Sequence, residues 1–258
     1  MLERWFRRGA TSSEKPHVAN GVAVYAIGDI HGRLDLLTEL LVQVAADAKR
    51  HPADRERQLV FLGDYVDRGT ESRGVIDALL GLAWPEFKPI FLMGNHEEAM
   101  LEFLDEQTDG LGWLTYGGLE TLVSYGVAIQ RLPKDPASAA ELRDALRAAV
   151  PRAHVDFLRN CVLSHTEGDY VFVHAGVRPG RALDQQNRRD LLWIREEFLR
   201  APDALPGKVV VHGHTICDEP QDLKHRIDID TGAFVSGRLT CLILREATRR
   251  FLVTGAIA

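Results

Sequence analysis

The sequence has little cysteine, no long apolar run and no excess of positive charge, and each shortage removes a class of protein. Its 258 residues hold three cysteines, Cys161, Cys217 and Cys241, widely spaced and without a Cys-x-x-Cys pair. Neither a disulfide framework nor a thiolate zinc site is indicated, and a reducing cytoplasm is the expected compartment. No apolar stretch approaches the roughly 18 residues of a membrane span, and the N-terminus lacks the apolar core of a signal peptide. A soluble, unexported chain is expected. The formal net charge of −6 argues against nucleic-acid binding, which draws on a basic excess gathered on one face. Any anionic substrate must therefore be attracted locally. There is no low-complexity segment and no interdomain linker, and a 45% hydrophobic content over this length supports one large domain.

What is present is a repeat of one local design. Gln58-Leu59-Val60-Phe61-Leu62 is an apolar run that stops at Gly63 and delivers Asp64, Asp67 and Arg68 directly afterwards. The pattern predicts a buried strand opening into a loop, and ligands of open α/β sheets collect at such strand ends. Val22 to Ile27 ends likewise in Gly28-Asp29-Ile30-His31-Gly32, and Ile90 to Met93 in Gly94-Asn95-His96-Glu97. Helical periodicity fills the intervals. Leu37, Leu40, Leu41, Val44, Ala45 and Ala48 predict a helix over residues 35–49, and Ser72 to Ala83 a second, with Ser72 as candidate N-cap. This alternation predicts βαβ units with parallel neighbours and right-handed crossovers, and so functional ends along one edge.

Residues 98–161 read as a helical cap, clearest over Ala137 to Val150 and broken by glycines from Gly110 to Gly118. Trp113 and Tyr116 either line a substrate cleft there or plug a small core. Two more predicted strands, Tyr170 to Val173 and Lys208 to Val211, end in His174-Ala175-Gly176 and His212-Gly213-His214. The remainder, Arg226 to Ile229, Arg238 to Leu244 and Arg249 to Val253, reads as strands joined by glycine-containing turns. Residues 1–20, with Arg4, Trp5, Phe6, Arg7 and Arg8, read as a flexible arm, either a frayed tail or a basic amphipathic contact for a membrane or partner. Residues 21–258 read as one domain, expected to carry the chemistry.

The strand ends supply Asp29, His31, Asp64, Asn95, His174 and His214, an oxygen and nitrogen set that suits Mn²⁺, Fe²⁺ or Zn²⁺ better than Ca²⁺. Six ligands are too many for one tetrahedral site with an open position. They suit two ions roughly 3.5 to 4 Å apart that share a carboxylate, and Asp64, central in sequence, is the expected bridge. One Gly-Asp turn or one strand-end histidine has an ordinary explanation, and it is the repetition behind five strands that points to a site. His17, His51, His154, His165 and His225 lack that context, and His212 reads as a packing residue.

In order and spacing, Gly28-Asp29-x-His31-Gly32, Gly63-Asp64-x-Val66-Asp67-Arg68-Gly69, Gly94-Asn95-His96-Glu97, His174-Ala175-Gly176 and Gly213-His214 closely resemble the phosphoprotein phosphatase branch of the calcineurin-like metallophosphoesterases. Leu192-Trp193-Ile194-Arg195-Glu196 and Ile229-Asp230-Thr231-Gly232-Ala233 look most like the compact bacterial and bacteriophage protein-serine/threonine/tyrosine phosphatases. The resemblance implies an α/β/β/α sandwich: two facing mixed β-sheets flanked by helices, with a dinuclear metal site at the strand ends. It implies that Asp29, His31 and Asp64 hold one divalent ion and Asp64, Asn95, His174 and His214 the other, Mn²⁺ first and Fe²⁺ or Zn²⁺ as alternatives. A hydroxide between the ions would attack phosphorus in line, His96 would protonate the leaving alkoxide, and Asp67 would orient His96. Arg68, Arg195 and Asn95 would bind the phosphate, whose oxygens match the guanidinium fork. The other reading of Arg195 is a surface ion pair with a neighbouring Glu. The implied activity is that of a protein serine/threonine phosphatase, with phosphotyrosine as a further substrate and phosphorylated protein or peptide as partner. The alternatives are a dinucleoside tetraphosphate hydrolase and a catalytically silent phosphate-binding scaffold, and the oligomeric state is left open.

Overall fold

Alternation along the first strands decides the layering. In the computed structural model, which describes residues 15–255, β1 (Val22–Ile27) buries Ala23, Tyr25 and Ile27 on one face and Val24 and Ala26 on the other. β2 (Glu56–Phe61) splits the same way, Leu59 and Phe61 opposite Val60. Strands apolar on both faces must be covered on both.

One cover is helical. α1 (Leu34–Arg50), α2 (Ser72–Leu80) and α3 (Asn95–Leu104) share a core with Tyr25, Leu59 and Phe61 through residues such as Leu37, Ile76 and Met100. Further helical chain joins that core: α4 (Leu111–Trp113) and α5 (Leu119–Ser124), linked by a π turn over Leu114–Gly118, then α6 (Pro136–Ala149) and α7 (Arg152–Arg159).

The other cover is a second sheet. The first sheet runs β10-β9-β1-β2-β3, where β3 is Lys88–Phe91, β9 Thr240–Arg245 and β10 Thr248–Val253; β1, β2 and β3 are parallel and the other pairs antiparallel. The second runs β4-β5-β6-β8-β7, built from β4 (Ser164–Glu167), β5 (Tyr170–Val173), β6 (Val209–His212), β7 (Gln221–Asp222) and β8 (Arg226–Asp228). Tyr170, Phe172, Val209, Val211 and Ile227 pack between the sheets on Val24, Ala26, Val60 and Leu62. Val171, Val173 and Val210 face outward onto α8 (Arg188–Trp193) and α9 (Glu196–Leu199). The result is the α/β/β/α sandwich with two mixed sheets.

Several boundaries differ from expectation for local reasons. β3 ends two residues early: Leu92 N–H still reaches β2 at Phe61 O (2.9 Å), but on the outer side Met93 N–H meets only the isolated Val162 carbonyl (2.8 Å). Ser72 is the first helical residue, not the cap, and its hydroxyl accepts the Asp67 N–H at 3.0 Å. α2 stops at Leu80, before Gly81. β4 and β7 are polar edge strands with no apolar alternation to announce them, and the β9–β10 turn carries Glu246 at φ 49° where a glycine was expected. Of the expected arm, residues 1–14 lie outside the described residues. Val18 is fully buried between the sheets and donates to Glu246 O at 3.0 Å, so the chain is already docked before residue 20. Among the described residues no helix is long and apolar enough to cross a membrane.

Candidate metal centre and phosphate site

Parallel pairing of β1, β2 and β3 sends Asp29, Asp64 and Asn95 out at one edge, and parallel β5 and β6 send His174 and His214 there from the second sheet. The loops cross closely. A Cβ on Gly63, whose φ is +103°, would lie 2.5 Å from the amide nitrogen of Gly94. Beyond the glycines the backbone itself is left-handed at His31, Asp64, Asp67, Arg68 and His214, with φ from 47° to 73°. Such strain, on the order of 1–3 kcal/mol per residue, persists only where the surroundings over-determine it. Glu97 supplies much of that determination: its buried carboxylate accepts the N–H groups of Asp64, Tyr65, Val66 and Gly94 at 2.8, 2.7, 3.1 and 2.9 Å.

Two of the histidines are aimed by backbone carbonyls. His31 Nδ1 donates to Val66 O and His174 Nδ1 to Leu62 O, both at 2.9 Å, which leaves Nε2 of each for the centre. Asp64 lies between them, Oδ2 at 3.3 Å from His31 Nε2 and Oδ1 at 3.5 Å from His174 Nε2. Asn95 Oδ1 is 2.8 Å from His174 Nε2. Two compact ligand groups result, His31–Asp64–His96 and Asp64–His174–His214, with donor atoms within 4.8 Å of one another in each. Asp64 is common to both. Asp29 stands just outside the first group, where its Oδ2 accepts the His214 N–H at 2.9 Å, and His96 takes its place.

The donor set fits divalent cations. Among the described residues, four buried side-chain atoms lack a hydrogen-bond partner, and two of them, Asp29 Oδ1 and His214 Nε2, belong to this cluster. Burial pushes His214 down to about 2, which leaves it a neutral imidazole, the ligand form; burial also lowers His174, against the pull of Asp64. Burial, together with Asp230 and Asp64, pushes Asp29 well above the usual carboxylate range. Burial also opposes the charge on Asp64, but His174, His96 and His31 outweigh it and hold that carboxyl well below its ordinary value. Asp29 driven toward protonation beside a neutral His214 marks a cluster short of positive charge, which cations would supply.

Next to the centre, His96 Nδ1 lies 2.6 Å from Asp67 Oδ2. Burial alone would lower His96, yet Asp64 and Asp67 raise it above the ordinary histidine value. Arg68 Nη1 is 2.9 Å from His31 Nε2, and its guanidinium stacks 4.7 Å above the Phe234 ring. Arg195 Nη1 donates to His214 O (3.0 Å) and Thr215 Oγ1 (3.1 Å). The ion pair with a neighbouring Glu does not form, since Glu196 pairs with Arg200 and Glu197 with Arg178. Asn95, His96 and both arginines line a cleft of about 510 Å³ walled by Trp113, Tyr116 and Trp193. The two alternatives for the aromatics divide between them. Tyr116 is 72% exposed in the cleft, whereas Trp113 is buried against Phe103 at 5.1 Å and shows only an edge. His212 is a packing residue, fully buried and edge-on to Phe198.

Residues 22–222 match the family model described as calcineurin-like phosphoesterase. The chain belongs to that family. A calcineurin-like phosphoesterase uses divalent metal ions to hydrolyse phosphoesters, and the clustered ligands agree. This calcineurin-like phosphoesterase is 30% identical over 239 residues to bis(5'-nucleosyl)-tetraphosphatase PrpE of Anoxybacillus flavithermus, covering 84% of this chain and 88% of that one. It is also 30% identical over 228 residues to serine/threonine-protein phosphatase 2 of Salmonella typhimurium, covering 84% and 90%. The cold-active protein-tyrosine phosphatase of a psychrophilic Shewanella shares the fold at a TM-score of 0.54 and 18% identity, over 92% of this chain and 83% of that one.

Two contributors escaped the sequence reading. Glu97 stands in the Gly94-Asn95-His96-Glu97 motif, and its place in the first turn of α3 was the available signal for a capping carboxylate. Thr121 gave none, because nothing in a mid-helix threonine marks it as a partner of Asp67 54 residues away.

Proposed function

We propose that this calcineurin-like phosphoesterase is a protein serine/threonine phosphatase that also accepts phosphotyrosine. The observation that carries this is the Asp67–His96 pair at 2.6 Å. With Nδ1–H held by Asp67, the transferable proton sits on Nε2 of a ring that lines the cleft. An alkoxide leaving from serine or threonine is strongly basic and needs that proton, whereas a nucleotide leaves as a weakly basic phosphate and needs it less. Asp29, His31 and Asp64 would hold one divalent ion and Asp64, Asn95, His174 and His214 a second, with Mn²⁺ ahead of Fe²⁺ or Zn²⁺. When bound, such ions supply a water ionised near neutral pH and neutralise phosphoryl oxygens. Arg68, Arg195 and Asn95 bind and orient the phosphate. The three cysteines are free thiols, in keeping with a reducing cytoplasm.

A second reading, hydrolysis of dinucleoside tetraphosphates, is favoured by Tyr116 and Trp193, which are 72% and 44% exposed on the same cleft. Exposed flat rings suit nucleobases. The deciding assay gives metal-stripped protein p-nitrophenyl phosphate, a phosphoserine peptide and diadenosine tetraphosphate, with and without Mn²⁺. Mn²⁺-dependent release of phosphate with the peptide preferred is expected. A preference for diadenosine tetraphosphate moves the protein to the second reading. No turnover by folded protein with Mn²⁺, Fe²⁺ or Zn²⁺ leaves only a phosphate-binding scaffold.

A further inference from the structure

The glycine-broken stretch from Gly110 to Gly118, which walls the cleft with Trp113 and Tyr116, also folds directly over Asp67. The Trp113 indole N–H donates to Asp67 Oδ2 at 2.7 Å, and the Thr121 hydroxyl donates to Oδ1 at 2.6 Å. His96 Nδ1 holds Oδ2 as well, at 2.6 Å. Thr121 Oγ1 also accepts the Asp67 N–H at 2.9 Å and lies 3.0 Å from Ser72 Oγ. Asp67 is wholly buried, and three donors fix both its oxygens. The glycines permit this approach. A Cβ on Gly118 would lie 2.7 Å from the Trp113 ring, and one on Gly117, at φ +118°, would meet Arg68 N at 2.7 Å and Asp67 Cβ at 3.1 Å.

We propose that Trp113 and Thr121 are positioning residues for proton donation, a role that rests on His96 being the acid. A carboxylate held by one donor can turn about its Cβ–Cγ bond, and the imidazole it steers turns with it. Three donors on two oxygens fix the carboxylate plane, and with it the direction in which His96 Nε2 presents its proton. In the step itself the Nε2–H bond breaks as the O–H bond of the departing alcohol forms. The imidazole is left neutral with Nδ1–H still on Asp67, and solvent water restores the Nε2 proton. The helical segment from α4 to α5 thereby sets how well a poor leaving group is expelled.

The test is a leaving-group series of p-nitrophenyl phosphate, phenyl phosphate and a phosphoserine peptide, run on the metal-loaded full chain. Trp113→Phe keeps the packing on Phe103 without the indole N–H. Thr121→Val keeps the shape without the hydroxyl, and carries the test alone if Trp113→Phe does not fold. Each is expected to lose about 10- to 100-fold in kcat on the peptide but no more than about threefold on p-nitrophenyl phosphate, part of the roughly 10²- to 10⁴-fold a general acid provides. Bound metal should be unchanged, and Thr121→Ser should recover the peptide rate. Equal losses on all three esters, or none, would overturn the positioning role. His96→Asn reads the acid assignment separately: a flat series there removes both claims, while a steep one beside flat series for Trp113→Phe and Thr121→Val removes the positioning claim alone.

Discussion

Two clusters of buried charge flank β1, and they are built on opposite rules. Near its start, Asp47 accepts the Tyr25 hydroxyl at 3.0 Å and Arg245 Nη2 at 2.7 Å, with Arg250 on its other oxygen. Arg245 Nε also reaches Asp54 Oδ2 at 3.1 Å. Burial opposes the Asp47 charge, but hydrogen bonds from Arg245, Tyr25 and Arg250 prevail and hold its carboxyl below the ordinary value. Both oxygens are paired, and Asp47 sits in regular helix. At the other end, around Asp64, two polar atoms are orphaned, Asp29 is driven toward protonation and the backbone is left-handed. The two carboxylates are equally hidden from solvent, Asp47 at 1% and Asp64 at 2%. Satisfied charge on relaxed backbone is architecture, whereas unsatisfied charge on strained backbone marks the place where a ligand is meant to complete the balance.

The contrast can be broken most decisively at Asp64. Asp64→Asn should cut kcat/KM by at least about 10³-fold and release bound metal, while the metal-free protein unfolds in urea no more easily than the wild type. A folded Asp64→Asn variant that still turns over would erase the distinction. Asp47→Ala should do the reverse, lowering unfolding free energy by about 1–3 kcal/mol through the hydrogen bonds lost by Tyr25 and Arg245, with kinetic constants within about twofold. Acid sharpens that result. Because Asp47 titrates lower in the folded chain than in the unfolded one, its contribution is complete above about pH 4 and is lost as pH falls through its folded value. Urea midpoints of wild type and Asp47→Asn should therefore stay a fixed distance apart above pH 4 and converge below it; a gap unchanged down to pH 2 would contradict the pairing. The smallest effect is expected from Arg195→Ala, a rise of about tenfold in KM for phosphate monoesters with kcat little altered, unrelieved by lysine. Unchanged KM would leave Arg195 only its hydrogen bonds to His214 and Thr215.

The sequence was most informative where chemistry and periodicity coincide. Val22 to Ile27 and Gln58 to Leu62 are apolar enough to be strands in any setting, so Asp29, His31 and Asp64 could be placed at strand ends and grouped. β4, with its Ser-His-Thr-Glu, and β7, with Gln-Asp, owe their extension to β5 and β8 beside them and carry no pattern of their own. The left-handed φ of His31, Asp64, Asp67, Arg68 and His214 was equally invisible, because it is imposed from outside, by Glu97 among others. Ser72 shows the same limit at one residue: its hydroxyl suits a helix cap, but Asp67 N–H and Thr121 compete for it and win.

The Asp64 turn is held by a carboxylate that is made 33 residues after it, and His174 and His214 arrive only with the second sheet. During synthesis β1, β2 and β3 are therefore made well before the histidines that complete the centre, and β9 and β10, the other strands of their sheet, come after those histidines. The edge becomes whole only when both halves of the chain have met, and turnover reports that they have.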